Sequence, residues 1–490
     1  MKESQLSPEQ RKLIIPSTWN VVWKDVNNKS KVKARLCARG DKETTKFRTD
    51  SPTVSKQALR ILISFAATKK QKLKSLDFTG AYLQGSPIER QVFICPPKDV
   101  REIKKDPDLI WKTVRRLYGF KDSSRGWFLE LDKALKSLGG KPTLVDPAMY
   151  VFRDEDDNIE GLAGVHVDDI LYTGSEKFEK EVIKVLISRY VIGRVETDDF
   201  TFTGWSLRQD DQGISLTQSH YLSQLELDKF EVFSKLGDSD NCVLPDALQE
   251  LFRSAVGVIQ WMVQVSRADK AYYAVSLASK LTKASVKDAK MAYKQIKSMM
   301  QDPQTIMFKA LGDWQSVQLR MFADSSWAKL HNCETVNANI CFLVGNDGKS
   351  AVLDWQSNKL PIPAASPLTG EATAALDAYC KIPWLRSLLS DMTGVEKVPA
   401  VLLTDSNSLK DAVQSSTTTK DKRALVSIAT IRRVPEEENI KIAWVSSSNQ
   451  LADCLTKPGV NPVRLRQILS EGRLDITIRS AVENIIEREK

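Results

Sequence analysis

Three aspartates, Asp77, Asp168 and Asp169, are the residues of this 490-residue chain whose type and spacing first suggest chemistry. In GLAGVHVDDILYTG, two apolar runs flank Asp168 and Asp169, which predicts a β-hairpin with the pair at its tip. Aspartate is common in turns for conformational reasons, so the pair alone would read as structural. Upstream, KLKSLDFTGAYLQG sets Asp77 near the end of another strand, and that company changes the reading. Two divalent ions about 4 Å apart can drive in-line displacement at phosphorus, one activating a hydroxyl and the other neutralising the leaving group. Such ions need hard oxygen ligands, which carboxylates on neighbouring strands supply. A second set of acids repeats the theme. Asp324 ends a strand in FADSSW, Glu371 opens a helix in TGEATAAL, Asp405 ends a strand in LLTDSN, and Asp453 begins a helix in NQLADCLTK. Any one of these reads as a cap or surface residue, whereas four at strand ends and helix starts can converge on metal.

The elements that must position these acids are legible in outline. Residues 17–230 alternate short apolar strand-like runs with helical stretches, as α/β and α+β folds do. Residues 233–248 turn polar and broken, which predicts a linker, and Leu248 to Met300 carries apolar residues at helical spacing. Ser285 and Asp288 form a capping-box pattern for a helix reaching about Met300. On it, Val286, Ala289, Tyr293, Ile296 and Met300 predict the buried face, with Lys287, Lys290, Lys294 and Lys297 as a cationic face beside it. From Gln318 the order is three strands, a helix, a strand, helices, a strand and a last helix, a compact mixed α/β domain. The segment from about Gly472 is charged and predicted to be peripheral.

Composition excludes several classes. No stretch approaches the ~20 apolar residues of a membrane span, and the N-terminus lacks the apolar core of a signal peptide, so no membrane association and an intracellular place are expected. Seven scattered cysteines without a C-x-x-C pair signal neither disulfides nor zinc. Three histidines (His166, His220, His331) leave little room for a histidine-based hydrolase. The net charge of +9 suits a polyanion, and it is concentrated: nine basic residues against three acidic ones lie between Lys24 and Arg48.

These motifs resemble the copia group of retrotransposon Pol polyproteins. HVDD is similar to the YVDD box of their reverse transcriptases, and SLDFTGAYLQG to their first catalytic aspartate motif. VKARLCARG, IWKTVRRLYGFKDSSRGW, DPAMYVF and FRSAVGVIQWMVQVSRADKAYYAVSLASKL resemble further blocks in the same order. The four C-terminal acids match the DADW, AEY, DNxSA and QxADxLTK boxes of copia-type ribonuclease H. The resemblance implies a multidomain right-hand polymerase followed by a ribonuclease H-like mixed α/β domain. Fingers and palm would span residues 1–235, a helical thumb and connection 236–315, the ribonuclease H-like domain 316–471 and a charged tail 472–490.

The same resemblance implies RNA-directed DNA synthesis with ribonuclease H cleavage, and two Mg2+ or Mn2+ ions per site held by Asp77, Asp168 and Asp169 and by Asp324, Glu371, Asp405 and Asp453. Tyr82 stands where the family keeps an aromatic under the sugar of the incoming nucleotide, and Tyr118, Gly119 and Lys121 fall in the segment lining that pocket. Lys33, Arg35 and Arg39 are candidates for phosphate contacts. Because alternate strand residues face opposite sides, all three are not expected to serve together. Lys287, Lys290, Lys294 and Lys297 would contact the nucleic-acid backbone. The implied partners are RNA template, DNA primer, RNA:DNA hybrid, dNTPs and other products of the same polyprotein. The implied place is the cytoplasm, in virus-like particles, with access to the nucleus. The chain is expected to be a processed product or a fragment.

Departures are His166 for the aromatic of the YVDD box, Asp122-Ser123-Ser124 for Q-A-P or Q-S-P, Arg423 and Ala429 for two histidines, and Pro383, which is expected to bend or end the Glu371 helix. The competing reading is a catalytically inactive domesticated nucleic-acid-binding scaffold with the same fold. An active polymerase with a crippled nuclease is a third.

Overall fold

The structure, a computed structural model, describes residues 1–26, 29–237, 240–327, 334–415, 419, 421–433 and 440–476, without the side chains of 24–26 and 29–31. The side chains of Lys24, Lys29 and Lys31 in the basic cluster, and His331, Cys333 and the tail beyond residue 476, therefore lie outside the described residues. The chain forms two compact units that do not follow its linear order. The first comprises Met1–Val54, Ser75–Thr143 and Pro147–Val195; the second comprises Ser55–Lys74, Leu144–Asp146 and Glu196–Lys490. Among the described residues no helix is long and apolar enough to cross a membrane.

In the first unit, β1 (Ile14–Val26) and β2 (Lys29–Ala38) pair as a long antiparallel hairpin, which joins short strands at Phe93–Cys95 and Trp111–Lys112. Its register sets Lys33 opposite Val22 and Arg35 opposite Asn20. Both residues are odd-numbered and share one face of β2, whereas Arg39 follows the strand's last residue, Ala38, and pairs with Asp41. The expectation that parity separates the three is thus corrected: the end of the strand does.

The second sheet of this unit holds the site. Its strands are β3 (Lys74–Phe78), β4 (Lys141–Pro142), β5 (Met149–Arg153), β6 (Ile159–His166), β7 (Asp169–Gly174) and β8 (Ile192–Thr197), in the order β8-β3-β7-β6-β5-β4. Runs such as Met149–Phe152 and Ile170–Thr173 are buried at every position. Strands covered on both faces carry continuous apolar runs rather than strict alternation. Val165 pairs with Ile170 and Leu162 with Thr173 across β6 and β7, a register set by the two-residue tip between His166 and Asp169.

The second unit contains α1 (Lys56–Lys69), α2 (Asp246–Val265), α3 (Ala271–Ala278) and α4 (Val286–Gln301), with a sheet of four short strands between Asp199 and Phe308. The Ser285 hydroxyl accepts the Asp288 amide and the Asp288 carboxylate accepts the Ser285 amide, so the expected capping box starts α4. The buried face of α4 is Val286, Ala289, Ala292, Gln295, Ile296 and Met299. It is turned slightly from the predicted stripe, leaving Tyr293 and Met300 half-exposed.

The C-terminal sheet consists of β9 (Gln318–Ser326), β10 (Val336–Val344), β11 (Ser350–Lys359), β12 (Ala400–Thr404) and β13 (Ile440–Trp444), ordered β11-β10-β9-β12-β13. The first three strands pair antiparallel, then β12 joins β9 and β13 joins β12, both in parallel, as the sequence order required. Between β11 and β12 runs α5 (Pro367–Thr393). Pro383 does not end α5, contrary to one of the two expected outcomes. The interior proline costs about 3 kcal/mol, which burial of Ile382, Leu385, Leu388, Leu389 and Met392 around it offsets.

Candidate active sites

The first site is built where β3 meets the β6–β7 hairpin. His166 pairs with Asp169 across a two-residue tip of Val167 and Asp168, and Val167 has φ of 57°. A β-branched residue pays a steric cost in that left-handed region, so the surroundings must hold it there. Two hydrogen bonds do. The Trp127 indole N–H donates to the Val167 carbonyl at 2.9 Å, and the Phe78 amide donates to the Asp168 carbonyl at 2.9 Å. Trp127 is fully buried and packs edge-on against Phe78, so the residue after Asp77 and the residue before Asp168 share one support.

This arrangement brings Asp77, Asp168 and Asp169 to one cleft of about 590 Å³, whose walls include Lys33, Arg35 and Tyr118. Burial, then the neighbouring Asp168 and Asp77 charges, push Asp169 up to about 7. Burial first, with Asp77 adding, raises Asp168 as well, and burial lowers His166. The side of the cleft formed by β8 contributes Gly193 and Arg194, which the sequence reading missed. A β-carbon on Gly193 would lie 2.5 Å from Asp77 Oδ2, and nothing in the sequence near Gly193 signalled this approach.

The other sequence candidates divide. The Tyr82 ring lies 4.9 Å from that of Tyr118, its hydroxyl is 3.0 Å from Ser124 Oγ, and Arg35 stands 5.5 Å from the centre of the Tyr118 ring. Burial raises the Tyr118 phenol above its ordinary range. Lys121, by contrast, donates to the Glu43 carbonyl at 2.7 Å, and Gly119 takes φ of 89° where its chain closes against Ala38. Asp122, a departure from the family pattern, is buried between Arg90 at 2.8 Å and Arg116 at 3.1 Å, so here the carboxylate has a structural partner set of its own.

The second site lies at the C-terminal sheet. Asp324 on β9, Glu371 on α5 and Asp405 just beyond β12 have ligand oxygens all within 4.8 Å of one another. Among the described residues that spacing is met by this set and not by Asp77, Asp168 and Asp169. Asp324 is buried, and Ser447 holds Asp405 through a 2.7 Å hydrogen bond. Glu371 Oε2 is buried with no hydrogen-bond partner among the described residues. Burial, then Asp324 and Asp405, push Glu371 up to about 9. Asp453 is not in the trio. It begins a short helix, α6 (Asp453–Thr456), and accepts from Lys457 at 2.6 Å; burial and then Asp324 raise it to about 6. Burial acts to lower Lys457, but Asp324 and Asp453 hold its ammonium above the ordinary range.

On α4, Lys287, Lys294 and Lys297 are exposed, whereas Lys290 donates to the Gly237 carbonyl at 3.1 Å and stands 3.6 Å from Asp240. Of the two positions that lack the family's histidines, Arg423 is exposed and Ala429 half-buried.

The family described as reverse transcriptase (RNA-dependent DNA polymerase) matches residues 5–245. That segment is just under half of the 490-residue chain. Around this segment most of the chain is similar to retrovirus-related Pol polyproteins, as its motifs implied. It is 25% identical over 447 residues to that of transposon RE2 of Arabidopsis thaliana, covering 88% of this chain and 30% of that one. It is 24% identical over 447 residues to that of transposon TNT 1-94 of Nicotiana tabacum, covering 87% and 33%. The chain thus spans about a third of the length of the curated relatives it matches. A foamy viral protease-reverse transcriptase solved in complex with an RNA/DNA hybrid matches with a TM-score of 0.45 and 11% identity over 88% of this chain and 50% of that one. The copia-type resemblance and the mixed α/β fold class stand.

Proposed function

We propose that this chain extends a DNA primer on an RNA template from dNTPs at the Asp77 site and cleaves the RNA strand of RNA:DNA hybrids at the Asp324 site. The observation that supports this reading most is the gathering of Asp77, Asp168 and Asp169 in one cleft beside a strained hairpin tip. Carboxyls that repel one another are held together at an energetic cost, and a purely structural role gives no reason to bear it.

Both donor sets are all oxygen, the chemistry that suits Mg2+ or Mn2+. The buried, unpartnered Glu371 Oε2 fits a cation at the second site. Asp77, Asp168 and Asp169 would hold two ions, and Asp324, Glu371, Asp405 and Asp453 two more. Bound there, the ions supply charge neutralisation at phosphorus and make the attacking hydroxyl or water more acidic. The remaining work falls to side chains. Lys33 and Arg35 reach the cleft from one strand face and suit the triphosphate. Tyr82, backed by Tyr118, offers an aromatic floor that a 2'-hydroxyl would strike, favouring deoxynucleotides. Exposed Lys287, Lys294 and Lys297 would grip backbone phosphates without sequence preference. The cytoplasmic particle and the other polyprotein products belong to the same reading.

Primer extension on an RNA template with dNTPs and Mg2+, comparing the chain with Asp168→Asn, tests the polymerase. Extension abolished by the change supports it; no extension by either form favours the inactive scaffold. Degradation of labelled RNA in a hybrid, with and without Asp324→Asn, tests the nuclease separately.

A further inference from the structure

Lys457 stands inside the second acid cluster. Its Nζ is 2.6 Å from Asp453 Oδ1 and 3.2 Å from Asp324 Oδ1, while the Thr456 hydroxyl takes the other Asp324 oxygen. The ammonium therefore bridges the fourth acid to the first. Asp324, Glu371 and Asp405 converge without it, and Asp453 stays outside that group. The Lys457 side chain is 21% exposed, whereas the Asp324 side chain, at 1%, is buried.

We propose that Lys457 competes with the second divalent ion for the Asp324–Asp453 pair, so that this site loads its ions one at a time. The inference rests on the ribonuclease reading of the cluster. An ion binding among Asp324, Glu371 and Asp405 meets oxygens already gathered. An ion that also needs Asp453 meets a charge-assisted hydrogen bond and a positive charge within a few ångströms, and like charges at that distance repel strongly at low dielectric. Lys457 must first swing outward on its flexible stem, which a lysine can do while leaving its methylenes in place. The consequence is a wide gap between first and second affinities, set by one side chain.

Mn2+ titration of the full chain, read as loss of the free-ion EPR signal, tests this. The Asp77→Asn, Asp168→Asn, Asp169→Asn background silences the other site. One tight and one weak ion are expected. Lys457→Met should tighten the second by on the order of tenfold or more and change the first little, while Lys457→Arg should keep it weak. Lys457→Gln, which retains a donor, repeats the test if the methionine variant fails to melt as a folded protein. An unchanged or weaker second ion in the neutral variants would overturn the inference and leave the ribonuclease reading intact, since Lys457 would then serve Asp453 rather than block it. Failure of every form to bind Mn2+, with Asp405→Asn indistinguishable from its parent, would sink the reading itself.

Discussion

Gly193 faces Asp77 so closely that a β-carbon would lie 2.5 Å from the Asp77 Oδ2 atom and 2.8 Å from Thr79 Oγ1. Both are ends of side chains, so a methyl group there is accommodated by moving them. Gly193→Ala should therefore cost little stability, within about 1 kcal/mol, while displacing a proposed metal ligand. We expect primer extension to fall by roughly 10²-fold, as a small misplacement of catalytic groups does. Extension at the parental rate, with an unchanged melting temperature, would mean that β8 parts from β3 at no cost.

The raised Asp169 carries a pH dependence. Its value of about 7 lies above the ~3.9 of an unfolded aspartate, so the native state holds the proton more tightly between those values. Its contribution to stability falls as pH rises from about 4 and is lost in full above about 7. In chelator, Asp169→Asn should melt higher than the parent at pH 8 and alike at pH 4. A divalent ion must displace that proton, so the Mg2+ needed for half-maximal extension should rise as pH drops below 7. A Mg2+ requirement independent of pH would count against this.

Trp127 is the support of the hairpin tip. Trp127→Phe keeps an aromatic body against Phe78 but removes the donor to Val167. A loss of about 1–3 kcal/mol in urea unfolding is expected from the orphaned carbonyl, with a fall in kcat larger than any change in primer affinity. Reduced affinity with kcat unchanged would place the role elsewhere.

Glu371→Gln should abolish hybrid cleavage and leave extension near the parental rate, because the two acid sets lie in different compact units. The change also removes a carboxylate that burial and its neighbours push up to about 9, so the melting temperature in chelator at pH 9 should rise. Cleavage that survives Glu371→Gln would exclude this glutamate as a ligand.

For the α4 stripe, replacing Lys287, Lys294 and Lys297 with glutamine should flatten the salt dependence of hybrid binding, by about 0.9 in slope for each phosphate that is no longer neutralised. Fluorescence anisotropy across a salt series reads this directly. Lys290→Gln should change that slope least, since its ammonium is already committed to Gly237 and Asp240. Equal effects at all four positions would contradict the distinction.

What the sequence determined by itself was whatever is local in the chain: the ligand type, the order of strands and helices, the hairpin under Asp168 and Asp169, the capping box of α4. Each follows from a period of two or 3.6 residues or from a turn of a few residues, so neighbouring positions suffice to state it. The shared face of Lys33 and Arg35 was present in that pattern too and was misread; only the end of β2 at Ala38 separates Arg39. Tertiary structure alone decided the rest. Gly193 meets Asp77, Trp127 holds Val167, Asp122 takes Arg90, and Lys457 reaches Asp324 across 133 residues, all through spatial proximity that no spacing records. The same packing carried α5 through Pro383, because apolar burial outweighed a backbone penalty that the local sequence could only announce.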